Sequence, residues 1–355
     1  MIFLTPNKYQ ILLPTYVIND KSYLSGYRII LLIVDAFLTL LCIFYALRCS
    51  YVIFKVKAFH DNMRALMLCI CLQWFELLVA GILLKPYEVG YYVVGDATTT
   101  VKQWWTSDED KMIKVTSLSD DYPLFIAAFI RWHYLLSIVT FLFVLSIERS
   151  FACYYISDYE KKPRKYLLYQ ILICYYSTTL IATVCFFFNI AHFVWGLLFC
   201  LTPNLLAIMI FMYTHHYNSS ITRSFANFST SYTLAARFQA KENMRAHRMI
   251  SWVVKCAFVL IFATCTVITV LFMEVLPAFE TILIFLFDSL TDLHPLVICP
   301  ALLLSVESWR NFTFSQLSFV RFLQKPASKS RSISSVDRSA KETDTYFQQL
   351  QNSWI

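Results

Sequence analysis

Seven apolar stretches of about twenty residues run through this chain, at 27–49, 64–84, 123–147, 166–188, 190–214, 250–272 and 281–304. A helix rising 1.5 Å per residue needs about twenty residues to cross a hydrocarbon core of about 30 Å. Inside lipid only a helix or a closed barrel satisfies its own backbone N–H and C=O groups. The expected fold is therefore all-α, an integral membrane bundle of seven transmembrane helices. The fourth and fifth stretches form one continuous run, too long for a single span, and a tight hairpin near 189–192 is expected to divide it. Composition agrees with a lipid solvent: 58% of residues are apolar and 15% charged, where soluble domains carry roughly a quarter charged. Pro6, Lys8 and Pro14 interrupt the first residues, so no segment reads as a cleaved signal peptide and the first span is expected to act as its own insertion signal.

The net charge of +7 has a side. Of the 30 Lys and Arg residues, 21 fall in the first, third and fifth connections and in the tail, and such residues accumulate on cytosolic faces. Residues 1–26 are thus expected outside the cell, the bundle at 27–304 in the plasma membrane, and a tail at 305–355 in the cytosol. A charge spread over span-flanking loops gives no reason to expect nucleic acid as a partner. All eleven cysteines lie in spans or at their cytosolic ends, so no exposed disulfide framework is implied. Glycosylation sequons begin at Asn218, Asn227 and Asn311, all on the expected cytosolic side, where they stay unmodified.

Charges inside spans are expensive and each is a candidate functional residue. Counted from the outer end of each stretch, Asp35, Glu76, Arg131 and Asp288 lie about eight residues in, roughly 12 Å deep, which puts them in one layer. Arg131 is expected to pair with Glu76 or Asp288. Asp292 and His294 are expected one to two turns deeper. Two readings stand: an ion-pair network that fixes helix register, or the floor of a ligand pocket in which Arg131 receives a carboxylate. One Arg against three carboxylates calls for water, protons or a cation as well. Trp132, His133, Tyr134 and Trp195 are suited to a pocket wall, or equally to packing and lipid contact. Lys255 is expected to snorkel, and Pro203 and Pro295 to kink their helices. The long second loop, 85–121, with Trp104-Trp105 and Asp108-Glu109-Asp110, reads either as a lid or as a solvated loop.

On the cytosolic side, Ala235–Met249 reads as a basic helical extension of the sixth span, carrying Arg245 and Arg248. Val306, Trp309, Leu317, Val320 and Leu323 suggest an interfacial helix after the seventh. Residues 328–339 are serine-rich and basic, and the final Ser353-Trp354-Ile355 fits a free-carboxylate ligand for a PDZ-domain protein.

At the foot of the third span stands Ser146-Ile147-Glu148-Arg149, followed by SFACYYISDYEKKPRKY. RFQAKENMRAHRM precedes span six, and His294-Pro295 in span seven leads to Glu307-Ser308-Trp309-Arg310. In these slots the phrases resemble the nematode serpentine receptor class epsilon (Sre) family over essentially the whole chain. The resemblance implies a GPCR-like chemosensory receptor of sensory neurons that couples an external chemical ligand to a heterotrimeric G protein, through a switch at Glu148 and Arg149. Read without it, Arg149 is equally a positive charge flanking a span. The chain departs from rhodopsin-like receptors: the fourth loop lacks a cysteine, span six lacks a proline, Ile298 stands where a tyrosine is usual, and Glu76 replaces an aspartate.

The rival reading is a ligand-gated channel or transporter using the intramembrane charges, yet no internal repeat and no matched pair of Gly/Pro-broken helices supports it. An enzyme is not expected: His133, His192 and His294 lack a paired spacing, His215-His216 falls in a loop, and no metal or cofactor is implied.

Overall fold

The structure, a computed structural model, describes residues 1–16, 26–94, 108–115, 121–156, 159, 164–190, 193–226, 234–273, 275–276 and 279–316. Trp104-Trp105, His192, Asn227, Leu317, Val320, Leu323, the serine-rich stretch and the last three residues lie outside these. The chain divides into a unit of Met1–Phe312 and a second of Thr313–Ile355. The membrane-spanning bundle belongs to the first.

Nine α-helices are described: α1 Gly26–Lys55, α2 Asp61–Glu88, α3 Tyr122–Tyr154, α4 Lys165–Phe187, α5 Phe193–Ala226, α6 Leu234–Phe272, α7 Glu280–Asp292, α8 Pro295–Ser305 and α9 Glu307–Gln316. Seven segments are long and apolar enough to cross a membrane, with α7 and α8 sharing the last. What they leave outward is apolar: Ile33 is 63% exposed, Phe37 60% and Phe262 67%. Such a surface is compatible with lipid and not with water. The charges are drawn inward instead, with α3 as the central helix packed against α2, α4 and α5.

The helices overrun the apolar stretches, and the charged positions move accordingly. Helix α2 passes Pro86 and ends at Glu88 rather than Leu84, because proline removes one backbone bond without stopping the final turn. Helix α3 runs to Tyr154 and α6 begins at Leu234, ahead of the sixth apolar stretch.

Two breaks have clear local causes. Between α4 and α5, Asn189 takes a left-handed conformation (φ 49°), which asparagine tolerates better than most residues. Its N–H bonds the Phe186 carbonyl at 3.0 Å, and the Ile190 N–H reaches back to Cys185 at 2.9 Å. That pair of bonds is a Schellman closure, and it makes the expected hairpin. Between α7 and α8, Pro295 has no N–H and begins the new helix. The Thr291 carbonyl left over accepts from His294 Nδ1 at 3.0 Å, and that of Asp292 accepts from Trp74 Nε1 on α2 at 3.1 Å. Pro295 therefore separates two helices rather than bending one.

The amino terminus is built in. Strands β1 (Ile2–Leu4) and β2 (Gln10–Leu12) pair antiparallel, and β3 (Ile113–Lys114) of the second loop adds parallel to β1. This small sheet caps one end of the bundle. Met1, Ile2, Phe3, Ile11 and Leu13 are buried, in one apolar cluster with residues of α3, α6 and α7. At the opposite end Val306 and Trp309 are buried rather than laid along an interface. Trp309 donates to the Val56 carbonyl at 3.0 Å and meets Phe59 edge-on.

Candidate functional site: a charged cluster beneath the cap and an arginine fork at the far end of one helix

Arg131, about two and a half turns into α3, is fully buried, and its guanidinium gathers three helices. Nη1 donates to Glu88 Oε1 of α2 at 2.9 Å; Nη2 donates to Asp288 Oδ1 at 3.1 Å and to Asp292 Oδ1 at 2.9 Å, both of α7. Asp288 and Asp292 are one helical turn apart, so both point to the same side. Beside them Lys85 of α2 bonds Asp35 of α1 at 2.8 Å and Glu88 at 3.2 Å. Four helices are thus tied by two cations and four carboxylates.

The sequence-level expectations rearrange here. Asp288 is bonded to Arg131, but Glu76 is not. Because α2 ends a turn later than its apolar stretch, Glu76 lies about 6 Å deeper than that stretch implies. It accepts instead from His133 Nδ1 at 2.9 Å, whose other nitrogen stands 3.5 Å from the Thr179 hydroxyl. Asp292 stands one turn deeper along α7 than Asp288, as expected, yet holds the same guanidinium. His294 does stand apart, its Nε2 accepting from the Tyr134 hydroxyl at 2.7 Å. Glu88 and Lys85, central to the cluster, fall in the second loop when the sequence is read alone; their i, i+3 spacing of opposite charges is the signal that could have found them. Arg131 has no free fork for a ligand carboxylate, since both terminal nitrogens are engaged.

The cap closes over this cluster and is bonded to it. Thr15 Oγ1 donates to Glu88 Oε1 at 2.9 Å. Trp132 is buried and its Nε1 donates to the Leu12 carbonyl at 2.7 Å. Tyr16 meets Phe287 edge-on, and the Asn189 side chain bonds Gln10 at 2.6 Å. Among the described residues the cap is made by residues 1–16, with β3 of the second loop as a minor strand, while Asp108–Asp110 of that loop form an exposed turn. Trp195 is 67% exposed.

About five turns further along α3, Glu148 and Arg149 are also buried, at 1% and 3% exposure, not at a water boundary as expected. Arg149 forks onto Glu148 with Nε at 2.5 Å and Nη2 at 2.7 Å. The Tyr159 hydroxyl donates to Glu148 Oε1 at 2.6 Å, and the Asn62 amide of α2 donates to that hydroxyl at 3.3 Å. Burial and the neighbouring carboxylate hold the Tyr159 phenol well above its usual range, so it stays a donor. Arg149 Nη1 reaches Asn243 of α6 at 3.2 Å, and Asn243 in turn donates to Asn218 of α5 at 3.1 Å. Asn218 is buried in this network, where no glycan could attach. A small cavity of about 10 Å³, room for about one water molecule, lies here between α3, α5 and α6, lined by Arg149, Cys153, Asn218, Asn243 and His247. Arg245 and Arg248 are carried on α6, the former 5.3 Å from the Phe59 ring. Lys255 is exposed and lies over Trp252. Among the described residues all eleven cysteines are free, and no group of three metal-ligating side chains converges.

The same α3 helix therefore carries a buried cation near each end, Arg131 bonded to α2 and α7 and Arg149 to α6. Comparison with known proteins supplies the context. The family described as Sre G protein-coupled chemoreceptor matches residues 1–355. Serpentine receptor class epsilon-45 of Caenorhabditis elegans is 40% identical over 100% of both chains. Serpentine receptor class epsilon-38 of the same organism is 28% identical over 96% of each, and class epsilon-37 is 26% identical over 99% of this chain and 98% of its own. These relatives are receptors by name, which leaves the channel or transporter alternative without support.

Proposed function

The chain belongs to the Sre family of G protein-coupled chemoreceptors, and on that premise we propose that its ligand binds at the charged cluster beneath the cap and acts on the Arg149 fork through α3. The observation that carries this is the clustering itself. Arg131, Glu88, Asp288 and Asp292 bring α2, α3 and α7 to one point, so a ligand that redistributes those bonds changes how three helices pack. A heterotrimeric G protein would then meet the end that holds Glu148, Arg149, Arg245 and Arg248. Residence in the plasma membrane of a sensory neuron, and a PDZ-domain partner at Ser353-Trp354-Ile355, belong to the same reading.

The test is expression in a heterologous cell with calcium and cAMP readouts against a panel of volatile and dissolved compounds. Compounds that raise a second-messenger signal should lose about tenfold or more in potency on Asp292→Asn, the change expected when a charged hydrogen bond of about 1.5–3 kcal/mol is weakened. Agonists equally potent on that variant would place the ligand elsewhere.

Orientation follows from the basic residues. With 21 of 30 on the side of the first, third and fifth connections, the cap faces outward and Arg149 inward. An epitope added before Met1 should be stained on intact cells, and one after Ile355 only after permeabilisation. The reverse pattern, or a glycan on Asn311, overturns this orientation.

A further inference from the structure

The charges beneath the cap do not balance. Asp35, Glu88, Asp288 and Asp292 face Lys85 and Arg131, four carboxylates against two cations among the described residues. The Met1 amine, close to Asp288, adds no charge at neutral pH, because burial pushes it down to about 4 against the pull of that carboxylate, so a proton shared among the carboxylates offsets the surplus until a cation replaces it. The surplus sits on α7. Asp288 and Asp292 each give only Oδ1 to Arg131; among the described residues neither second oxygen takes part in a hydrogen bond. Between them in sequence, Ser289 is nine-tenths buried and its hydroxyl has no partner among the described residues. At 100° per residue, Asp292 lies between Asp288 and Ser289 around the helix, so all three share an arc of about 100°. The Asp292 side chain is 24% exposed where Arg131 is fully enclosed, so this arc is the side of the cluster that a ligand reaches.

An unsatisfied hydroxyl and two spare carboxylate oxygens form an acceptor set with negative charge to neutralise. We propose that the site takes a small organic ammonium ion, whose N–H groups are received by Asp288, Ser289 and Asp292. This rests on the reading of the cluster as the ligand site and names the chemistry of what it receives. A carboxylate ligand would add to the surplus and would find both terminal nitrogens of Arg131 engaged, with its Nε the one guanidinium nitrogen lacking a partner among the described residues.

The test uses the full-length receptor in lipid nanodiscs and its thermal unfolding midpoint. The probes are primary alkylamines from propylamine to octylamine, the carboxylic acids and alcohols of the same chain lengths, and sodium chloride, all at matched concentration and ionic strength. At least one amine should raise the midpoint by about 2 °C or more. The matching acid and alcohol should not. The shift should vanish in Asp292→Asn and shrink in Ser289→Ala, two near-isosteric changes that keep the fold testable. Failure of every amine, or an equal shift with the acids, overturns the inference. An equal shift with sodium chloride reassigns the site to an inorganic cation and overturns it too, as does an amine shift unchanged in both variants. Should the potency of an agonist acid respond to Asp292→Asn, the site would stand and the ligand class alone would fall.

Discussion

Arg131→Ala should be almost absent from the cell surface. The side chain has no exposed area and is bonded to Glu88, Asp288 and Asp292 at once. Removing it leaves three carboxylates facing one another in a low-dielectric interior. Breaking one side of a buried ion pair costs about 3–5 kcal/mol, a large part of the roughly 5–15 kcal/mol that holds a folded domain. Arg131→Lys should recover little, because an ammonium cannot divide itself over two helices as the guanidinium does. Recovery should instead come from the acids: adding Glu88→Gln and Asp288→Asn to Arg131→Ala removes the repulsion and should return surface staining. Glu76→Gln serves as the control, since Glu76 is bonded to His133 and not to Arg131. It should rescue nothing. Normal staining of Arg131→Ala on its own, or rescue by Glu76→Gln, would show that these contacts do not hold the bundle together.

Much of this cluster is legible in the sequence, because a charge inside an apolar run announces its own cost. Arg131, Asp288 and Asp292 stand out for that reason. Glu88 and Lys85 do not, since Pro86 suggests that the second helix has ended, and a charge in a loop carries no cost to notice. The difference is one helical turn, and it also brings Glu76 into the layer wrongly. The cap shows a similar limit. Residues 1–16 carry Ile-Phe-Leu before Thr5-Pro6-Asn7-Lys8 and Ile-Leu-Leu after it, a hairpin signal that is passed over when the segment is weighed only as a signal peptide. Nothing in that pattern says that Leu12 receives Trp132 or that Thr15 reaches Glu88, because those partners lie more than seventy residues away. Glu148 and Arg149 are visible as a motif. Their burial is not, since Asn62, Tyr159 and Asn243 come from three separate segments.

That burial decides how the far end should respond to mutation. Arg149 is folded onto Glu148 through two short bonds, so it is withheld from any partner that approaches this end of the bundle. Two states of the arginine, held and released, are enough for a switch, and their populations follow their free-energy difference. Glu148→Gln keeps the shape of the side chain but removes its charge. Hydrogen bonds to a charged group contribute about 1.5–3 kcal/mol, and each step of about 1.4 kcal/mol is a factor of ten in population. Basal G-protein activation, measured as nucleotide exchange in membranes without added ligand, should therefore rise by roughly tenfold or more. Tyr159→Phe, which removes one bond to the same carboxylate, should act in the same direction and less strongly. Arg149→Ala should do the opposite and abolish both basal and ligand-evoked exchange, measured per receptor at the surface because it also leaves the buried Glu148 unpaired: the group to be released is gone. Asn243→Ala separates this from a simple loss of stability: it frees Arg149 from α6 without touching the pair on α3, so it should raise basal exchange without lowering expression. If Glu148→Gln and Asn243→Ala both leave basal exchange at the unmutated level, the fork is a structural ion pair and the switch lies elsewhere on the helix.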